Sequence, residues 1–352
     1  MTVDDARCYQ GIDDAYLMPK LIRVEPNLYA ACFFLMKLLP AKYMLDWARR
    51  DGHIDNDTVI LESTSGTFGL ALALLCNKQK NRLILVSDPV VDDALKRRMM
   101  DLGATIDICD KPEPIGGYQR ARLNRLEYYR EKYPNHYWPE QYKNPKNPGA
   151  YAALAELLLA RLGNVDCLVG TAGSGGSMCG TSRFLRTVNR DLHAIGIDTH
   201  NSILFGRPDG HRVIRGLGNS LMPPNLDHSV FDEIHWLNAQ ETILATRELH
   251  RETGLFMGPT SGAAYQVAKH YASENRSKSV VFICADEGYR YMDTVFNNSW
   301  IEKNGLALDE IDYDPVCLQH PMDDVADWAF LNWGRRELVE VTGQPIRSEY
   351  GL

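Results

Sequence analysis

Six short β-branched runs alternate with helix-period segments along most of this chain. The runs are TVILES (58–63), RLILVSD (82–88), TIDICD (105–110), VDCLVG (165–170), HAIGID (193–198) and SVVFICAD (279–286). Helical periodicity falls around 40–51, 69–79, 91–103, 117–132, 149–162, 176–188, 240–253 and 261–274. Strands separated by single helices of this length run parallel, and a parallel sheet needs helices on both faces. The expected fold is therefore α/β and doubly wound. Two sheets are expected rather than one, because two separate glycine-rich turns lead from a strand into a helix. The segment PEQYKNPKNPGA (139–150), with three prolines and three side-chain amides, reads as a linker. Beyond about residue 305 the alternation fades into an acidic, aromatic-bearing tail, expected to pack as one or two helices on the body or on a second subunit.

Charge and cysteine usage narrow the function classes. A net charge of −8 over 352 residues speaks against a nucleic-acid partner, because phosphate backbones are bound by clustered Lys and Arg. The eight cysteines form no CxxC pair, and no Cys/His cluster has zinc-ligand spacing, so no metal site is expected. Several lie in apolar strand-like runs, as free thiols of a reducing compartment would. MTVDDARCYQ lacks the basic and apolar regions of a signal peptide, and no apolar run approaches the roughly 20 residues of a membrane span. The expectation is a soluble cytoplasmic protein with no membrane partner.

The two glycine-rich turns point to small anions. GTAGSGGSMCG (170–180) follows VDCLV and opens a helix near residue 176. Backbone amides at a helix start, approached freely past Gly173, Gly175 and Gly176 and joined by the hydroxyls of Ser174 and Ser177, suit a phosphate-sized anion. No GK[ST] closes the turn and no GxGxxG is present, so it is neither a P-loop nor a dinucleotide fingerprint. ESTSGTFG (62–69) is a second turn of the same kind, followed by LALALLC.

Four motifs in fixed order are more specific than either turn: ESTSGTFGLALA, GTAGSGGSMCGTSRFL, RGLGNSLMPPNLD and GLFMGPTSGAA. Together they resemble the fold-type II pyridoxal-phosphate enzymes, in particular the cysteine synthases and their β-replacement relatives, over roughly residues 15–300. The resemblance implies two doubly wound α/β domains, each with a twisted, mostly parallel sheet, and pyridoxal 5′-phosphate in the cleft between them. It places a large cofactor-binding domain at 10–32 plus 145–305, a smaller substrate-loop domain at 33–144 and a C-terminal helical extension at 306–352. A homodimer acting on small-molecule amino acids is implied as well.

The family's cofactor lysine aligns on Lys37, with Lys42 as the competitor. Lys37 lies among Phe33, Phe34, Leu35, Met36, Leu38 and Leu39, where desolvation favours the free amine that Schiff-base chemistry needs. The family's usual Asn-Pro-x-Gly-Ser turn before this lysine is missing, and Leu38-Leu39 replaces its Asp-Arg. The resemblance assigns the cofactor phosphate to Gly173, Ser174, Gly175, Gly176 and Ser177, and the ring nitrogen to Thr260 or its neighbour Ser261. A substrate carboxylate would be held by Thr64, Ser65, Gly66, Thr67 and Phe68, with Gln141 as a further ligand. Thr67 replaces the usual asparagine beside the cofactor's 3′-oxygen. Gly216, Leu217 and Gly218 would form the opposite wall. Arg212 and Arg215, in NSILFGRPDGHRVIRGLGNS, are candidates for a phosphate leaving group or a second carboxylate.

The implied reaction is β-elimination or β-replacement on O-acetylserine, O-phosphoserine or cysteine through an aminoacrylate, with sulfide, a thiol or an amine as nucleophile. One alternative couples O-phosphoserine with an amino-acid amine, as on the route to 2,3-diaminopropionate. A dehydratase or racemase reading has no supporting motif. A degenerate relative that keeps the fold as a binding or regulatory protein is the reading from outside enzymology.

Overall fold

The structure, a computed structural model, describes residues 8–89, 91–114, 117–214, 216–308, 312–324 and 326–343. Its strands are β1 (Lys20–Glu25), β2 (Leu28–Cys32), β3 (Val59–Ser63), β4 (Leu83–Ser87), β5 (Thr105–Ile108), β6 (His136–Tyr137), β7 (Cys167–Thr171), β8 (His193–Thr199), β9 (Glu233–Leu237), β10 (Val280–Cys284), β11 (Val316–Cys317) and β12 (Trp328–Asn332). The chain divides into two compact units. One takes the residues up to Pro19 with Phe33–Glu140, the other Lys20–Cys32 with the residues from Gln141 on.

The first unit is built on a four-stranded parallel sheet in the order β5-β4-β3-β6. Its two faces follow the period of two along each strand. Ile60, Leu83 and Leu85 face a core made with the helices Leu38–Arg50, Thr67–Gln79 and Asp93–Asp101. Val59, Leu61, Ile84 and Val86 face Ala121 and Leu126 of the helix Gly117–Lys132. Burial on both faces is why VILES and LILVS are nearly continuous apolar runs. The helix Thr67–Gln79 is buried at every residue from Phe68 to Cys76, so its sequence is apolar all round instead of amphipathic.

The second unit carries an eight-stranded sheet, β1-β2-β10-β7-β8-β9-β12-β11. From β2 to β9 it is parallel. The β1/β2 hairpin and the β9/β12 pair are antiparallel. The helices Ala239–Thr253 and Pro259–Glu274 cross closely because residue 262 is glycine: any Cβ there would strike the backbone of Thr246.

The C-terminal tail differs from its helical expectation. Among its described residues only Leu338–Thr342 is helical, while Trp328–Asn332 joins the main sheet beside β9 with five residue pairs. In DWAFLNW the residues Trp328, Ala329, Leu331 and Trp333 are buried, and a bulky aromatic run of this kind fits a pleated surface better than a surface helix. The rest of the tail expectation, on 309–311, 325 and 344–352, lies outside the described residues. No helix among the described residues is long and apolar enough to cross a membrane.

Trp328 is 1% exposed, donates from Nε1 to His235 Nδ1 at 3.0 Å and lies edge-on to His270. Trp328→Ala removes that packing and is expected to destabilise the second unit by about 3–5 kcal/mol. The expected readout is a fall in the urea midpoint followed by circular dichroism at 222 nm.

Candidate active site

Lys37 is the residue that immediately precedes the helix Leu38–Arg50 and already has helical dihedrals. Turn bonds from Leu38 N to Leu35 O, at 2.9 Å, and from Ala41 N to Lys37 O, at 3.2 Å, bracket its backbone. Its neighbours Leu35, Met36, Leu38 and Leu39 are buried. Burial brings its amine down from 10.5 to about 8, although the residue as a whole keeps partial solvent contact. Lys42 is in different surroundings, paired with Asp46 at 2.6 Å and with Asp13 at 3.6 Å. The two candidate lysines thus differ in surroundings: Lys42 faces two carboxylates, and Lys37 is flanked by buried apolar residues.

The turn after β3 prepares a small polar surface in the same unit. Thr64 is buried, and its Oγ1 accepts from Gly66 N at 3.2 Å. Ser65, Gly66 and Thr67 stay partly exposed where the helix Thr67–Gln79 begins. Gly66 caps that helix without a side-chain acceptor, so its first amides are available to an anion. Phe68 turns its ring into the core at 2% exposure and offers only its main chain. Glu62, which sequence reasoning passed over, is buried before the turn. Its Oε1 accepts from Ser63 N at 2.8 Å and from Trp138 Nε1 at 3.0 Å.

In the second unit β7 ends at Thr171, and the helix Gly176–Val188 begins after a left-handed Gly175 with φ of 80°. The first bond into that helix runs from Cys179 N to Gly175 O, leaving the amides of residues 176–178 without helical acceptors. Nothing lies within 4 Å of the point a Cβ on Gly173 would occupy, whereas a Cβ on Gly176 would strike the Asn147 side chain. Ser174 is buried and Ser177 partly exposed. Amide donors, two hydroxyls and open space at Gly173 suit a phosphate group, so the loop passes the test of fit for a phosphorylated cofactor.

Asn147 and Asn225, two residues the sequence reading did not single out, hold this loop. Asn147 Nδ2 donates to Gln141 O at 2.6 Å and to Ser174 Oγ at 3.1 Å. Asn225 Nδ2 donates to Gln141 O at 3.2 Å and to Asn144 O at 3.0 Å. Gln141, Ser174 and Gly176 are thus drawn into one cluster. The available signal was the pair of amides in KNPKNP and PPNLD, each beside proline, where side chains often satisfy the backbone in place of secondary structure.

A second cluster forms around Thr260. A Cβ on Gly216 would lie 3.7 Å from Thr260 Cγ2, so the Gly216 wall and the start of the helix Pro259–Glu274 are neighbours. Ser261 Oγ accepts from Ala285 N at 3.2 Å and is 0% exposed, which ties Ser261 to the end of β10. Leu217 packs into the core of the unit. Arg212 spends its donors inside its own loop, on Asn201 O, on Asp209 Oδ1 at 2.8 Å and on Ser220 Oγ at 2.6 Å. Arg215 lies outside the described residues.

Residues 36–286 match the family model described as pyridoxal-phosphate dependent enzyme. A hydrogen sulfide-producing enzyme from Fusobacterium nucleatum is 26% identical with a TM-score of 0.75, over 82% of this chain and 99% of that one. An O-acetylserine dependent cystathionine beta-synthase from Helicobacter pylori is 27% identical with a TM-score of 0.74, over the same shares. O-acetyl serine sulfhydrylase isoform 3 from Entamoeba histolytica, at 22% identity and a TM-score of 0.76 over 85% of this chain and 94% of that one, shares the fold. The chain belongs to the family of pyridoxal-phosphate dependent enzymes and uses pyridoxal 5′-phosphate as its cofactor.

Proposed function

We propose that the enzyme carries out β-replacement on an O-substituted serine or on cysteine, with Lys37 as its proton-handling residue. The observation that carries this reading is the pair of relatives named for hydrogen sulfide production and for O-acetylserine dependence. The cofactor, when bound, supplies an electron sink for negative charge at the substrate's α-carbon. Lys37 holds the cofactor through its amine and then takes the proton from the α-carbon, a task suited to a desolvated amine near neutral pH. Gly173, Ser174, Gly175, Gly176 and Ser177 hold the cofactor phosphate. Thr260 presents a neutral hydroxyl to the ring nitrogen, which does not enforce its protonation and so suits expulsion of a β-substituent.

Thr64, Ser65 and the amides of residues 65–68 hold the substrate carboxylate, with Gln141 as a further ligand. Thr67 is the first residue of its helix and replaces a longer asparagine with a shorter hydroxyl. The internal commitments of Arg212 lend no support to a phosphate leaving group, so O-acetylserine and cysteine are preferred to O-phosphoserine. Acting as a dimer in the cytoplasm belongs to the same reading.

Three outcomes test these roles. Lys37→Ala should abolish the near-visible absorbance of bound pyridoxal phosphate, and Lys42→Met should retain it; the reverse result would move the assignment to Lys42. With apo-protein, the rate of cofactor uptake should rise with pH, be half-maximal near 8 and level off above it. The sign follows because only the unprotonated amine reacts and burial lowers its pKa. An inflection near 10 would place the reacting amine in water. Gly176→Ala puts a methyl against Asn147 and should weaken cofactor binding by at least about tenfold, or 1.4 kcal/mol, in equilibrium dialysis without unfolding the chain.

The reaction itself is tested by adding O-acetylserine, O-phosphoserine and cysteine separately to holoenzyme and screening sulfide, thiols and amines by mass spectrometry. A spectrum unchanged by all three donors would remove the β-replacement reading.

A further inference from the structure

Between β8 and β9 the chain runs through residues 201–227, whose described residues form no helix or strand, far longer than the usual few-residue connection. Such a stretch holds one shape only if something outside it fixes it. Its near end is cross-linked internally: Asn201 Nδ2 donates to His211 O at 3.0 Å, Ile203 N to Asn219 O at 3.0 Å and Asn219 N to Ser202 Oγ at 3.0 Å. The Leu204 carbonyl accepts from His228 Nε2 at 2.7 Å, and residues 205–207, the turn of this loop, lie against the C-terminal segment.

Phe205 is 0% exposed. Its ring meets His228 and Phe231, and also Trp333 edge-on at 5.3 Å. Gly206, with φ of 84°, lies so close to the tail that a Cβ would strike Thr342 and come within 3.4 Å of Pro321. Arg207 Nη1 donates to the main-chain carbonyls of Pro321 and, at 3.2 Å, of Asp323. Burial disfavours the Arg207 charge, and the carboxyls of Asp198, Asp323 and Asp324 act through space to favour it. The tail is itself pinned to the sheet. The amides of Trp333 and Gly334 donate to Asp232 O, both at 2.8 Å, and Arg335 Nε donates to Asp232 Oδ1 at 2.7 Å. All of these tail residues lie beyond 286, where the family match ends.

We propose that the C-terminal segment is a clamp for the 201–220 loop, with Arg207 as its pin and Trp333 as its wedge, and that it sets how tightly the enzyme holds its amino-acid substrate. Arg207 and Trp333 are positioning residues: they act by holding the loop that carries Gly216 and Gly218. The inference rests on the reading of that loop as a substrate wall. Two charge-assisted bonds to carbonyls and one buried aromatic contact add to the loop's internal bonds and to the His228–Leu204 bond in restricting it.

The test compares holoenzymes carrying Arg207→Ala, Arg207→Lys and Trp333→Phe. In Arg207→Ala, hydrogen exchange of amides in 201–220 should rise about tenfold, the loss expected for one such interaction, with exchange in 167–188 unchanged. KM for the amino-acid substrate should rise by a similar factor while cofactor affinity and kcat stay within twofold. Arg207→Lys, which can still donate to both carbonyls, should recover most of the KM effect. Trp333→Phe keeps the ring contact with Phe205 and should behave as a milder Arg207→Ala. Unchanged exchange in 201–220 in both Arg207→Ala and Trp333→Phe overturns the clamp. Raised exchange with an unchanged KM overturns its effect on the amino-acid substrate. Because exchange is read without turnover, it decides the clamp even where no serine derivative reacts and the β-replacement reading fails.

Discussion

The second unit depends on one close approach, that of the helix Gly176–Val188 to the segment around Asn147 and Pro148. Glycine is present at both contact points on the helix: a Cβ on Gly176 would strike Asn147, and one on Gly180 would strike the Pro148 carbonyl. That proximity lets one amide, Asn147 Nδ2, reach Gln141 O and Ser174 Oγ together. It also brings Gly175 against the backbone of Asn225, whose own amide ties the same segment from the other side. The phosphate-sized cradle is therefore a consequence of helix packing more than of the loop's own flexibility. Small residues were required where two backbones meet, and the open N-terminal amides follow from where the helix is forced to start.

Parallel topology explains where the remaining site segments lie. In an open parallel sheet the connections that bind ligands leave from the carboxyl ends of the strands. Thr64–Thr67 follow β3, Gly173–Gly176 follow β7, the 201–220 loop follows β8, and Ala285 follows β10 and donates its amide to the Ser261 hydroxyl. In the second unit these turns share one end because β7, β8 and β10 run parallel. The middles of β3, β7 and β10 are apolar on both faces, which leaves their ends as the places where polar groups can gather without being buried unpaired.

The parts that could be read from sequence are those governed by local periodicity. The runs at β3, β4, β7, β8 and β10 and the helix starts at Thr67, Gly176 and Pro259 follow from burial on both faces and from glycine or proline at the helix entry. Elements whose identity depends on a distant partner were not legible. β2 shows no alternation of its own and becomes a strand by pairing with β10, each pair 252 residues apart in sequence. β12 is a strand because β9 offers it an edge, which no local pattern in DWAFLNW could announce. The same limit hid Asn147 and Asn225: an amide next to proline is an ordinary turn residue until its carbonyl partners are known.

Lys37 shows how a departure from a familiar sequence pattern is absorbed physically. The chain lacks the usual turn ahead of the lysine and has Leu38-Leu39 after it, which takes away nearby charged side chains. What it has instead is a lysine fixed at a helix entry, with its backbone bracketed by two turn bonds and apolar residues on both sides. Burial of the stem disfavours the ammonium, and the buried Leu38 and Leu39 contribute to that burial. Under the assignment of Lys37 proposed above, these two residues help to keep its amine unprotonated. Asp and Arg at these two positions would bring two charges into the core that now holds Leu38 at 0% exposure. The altered lysine segment and its apolar core have to be understood as one unit.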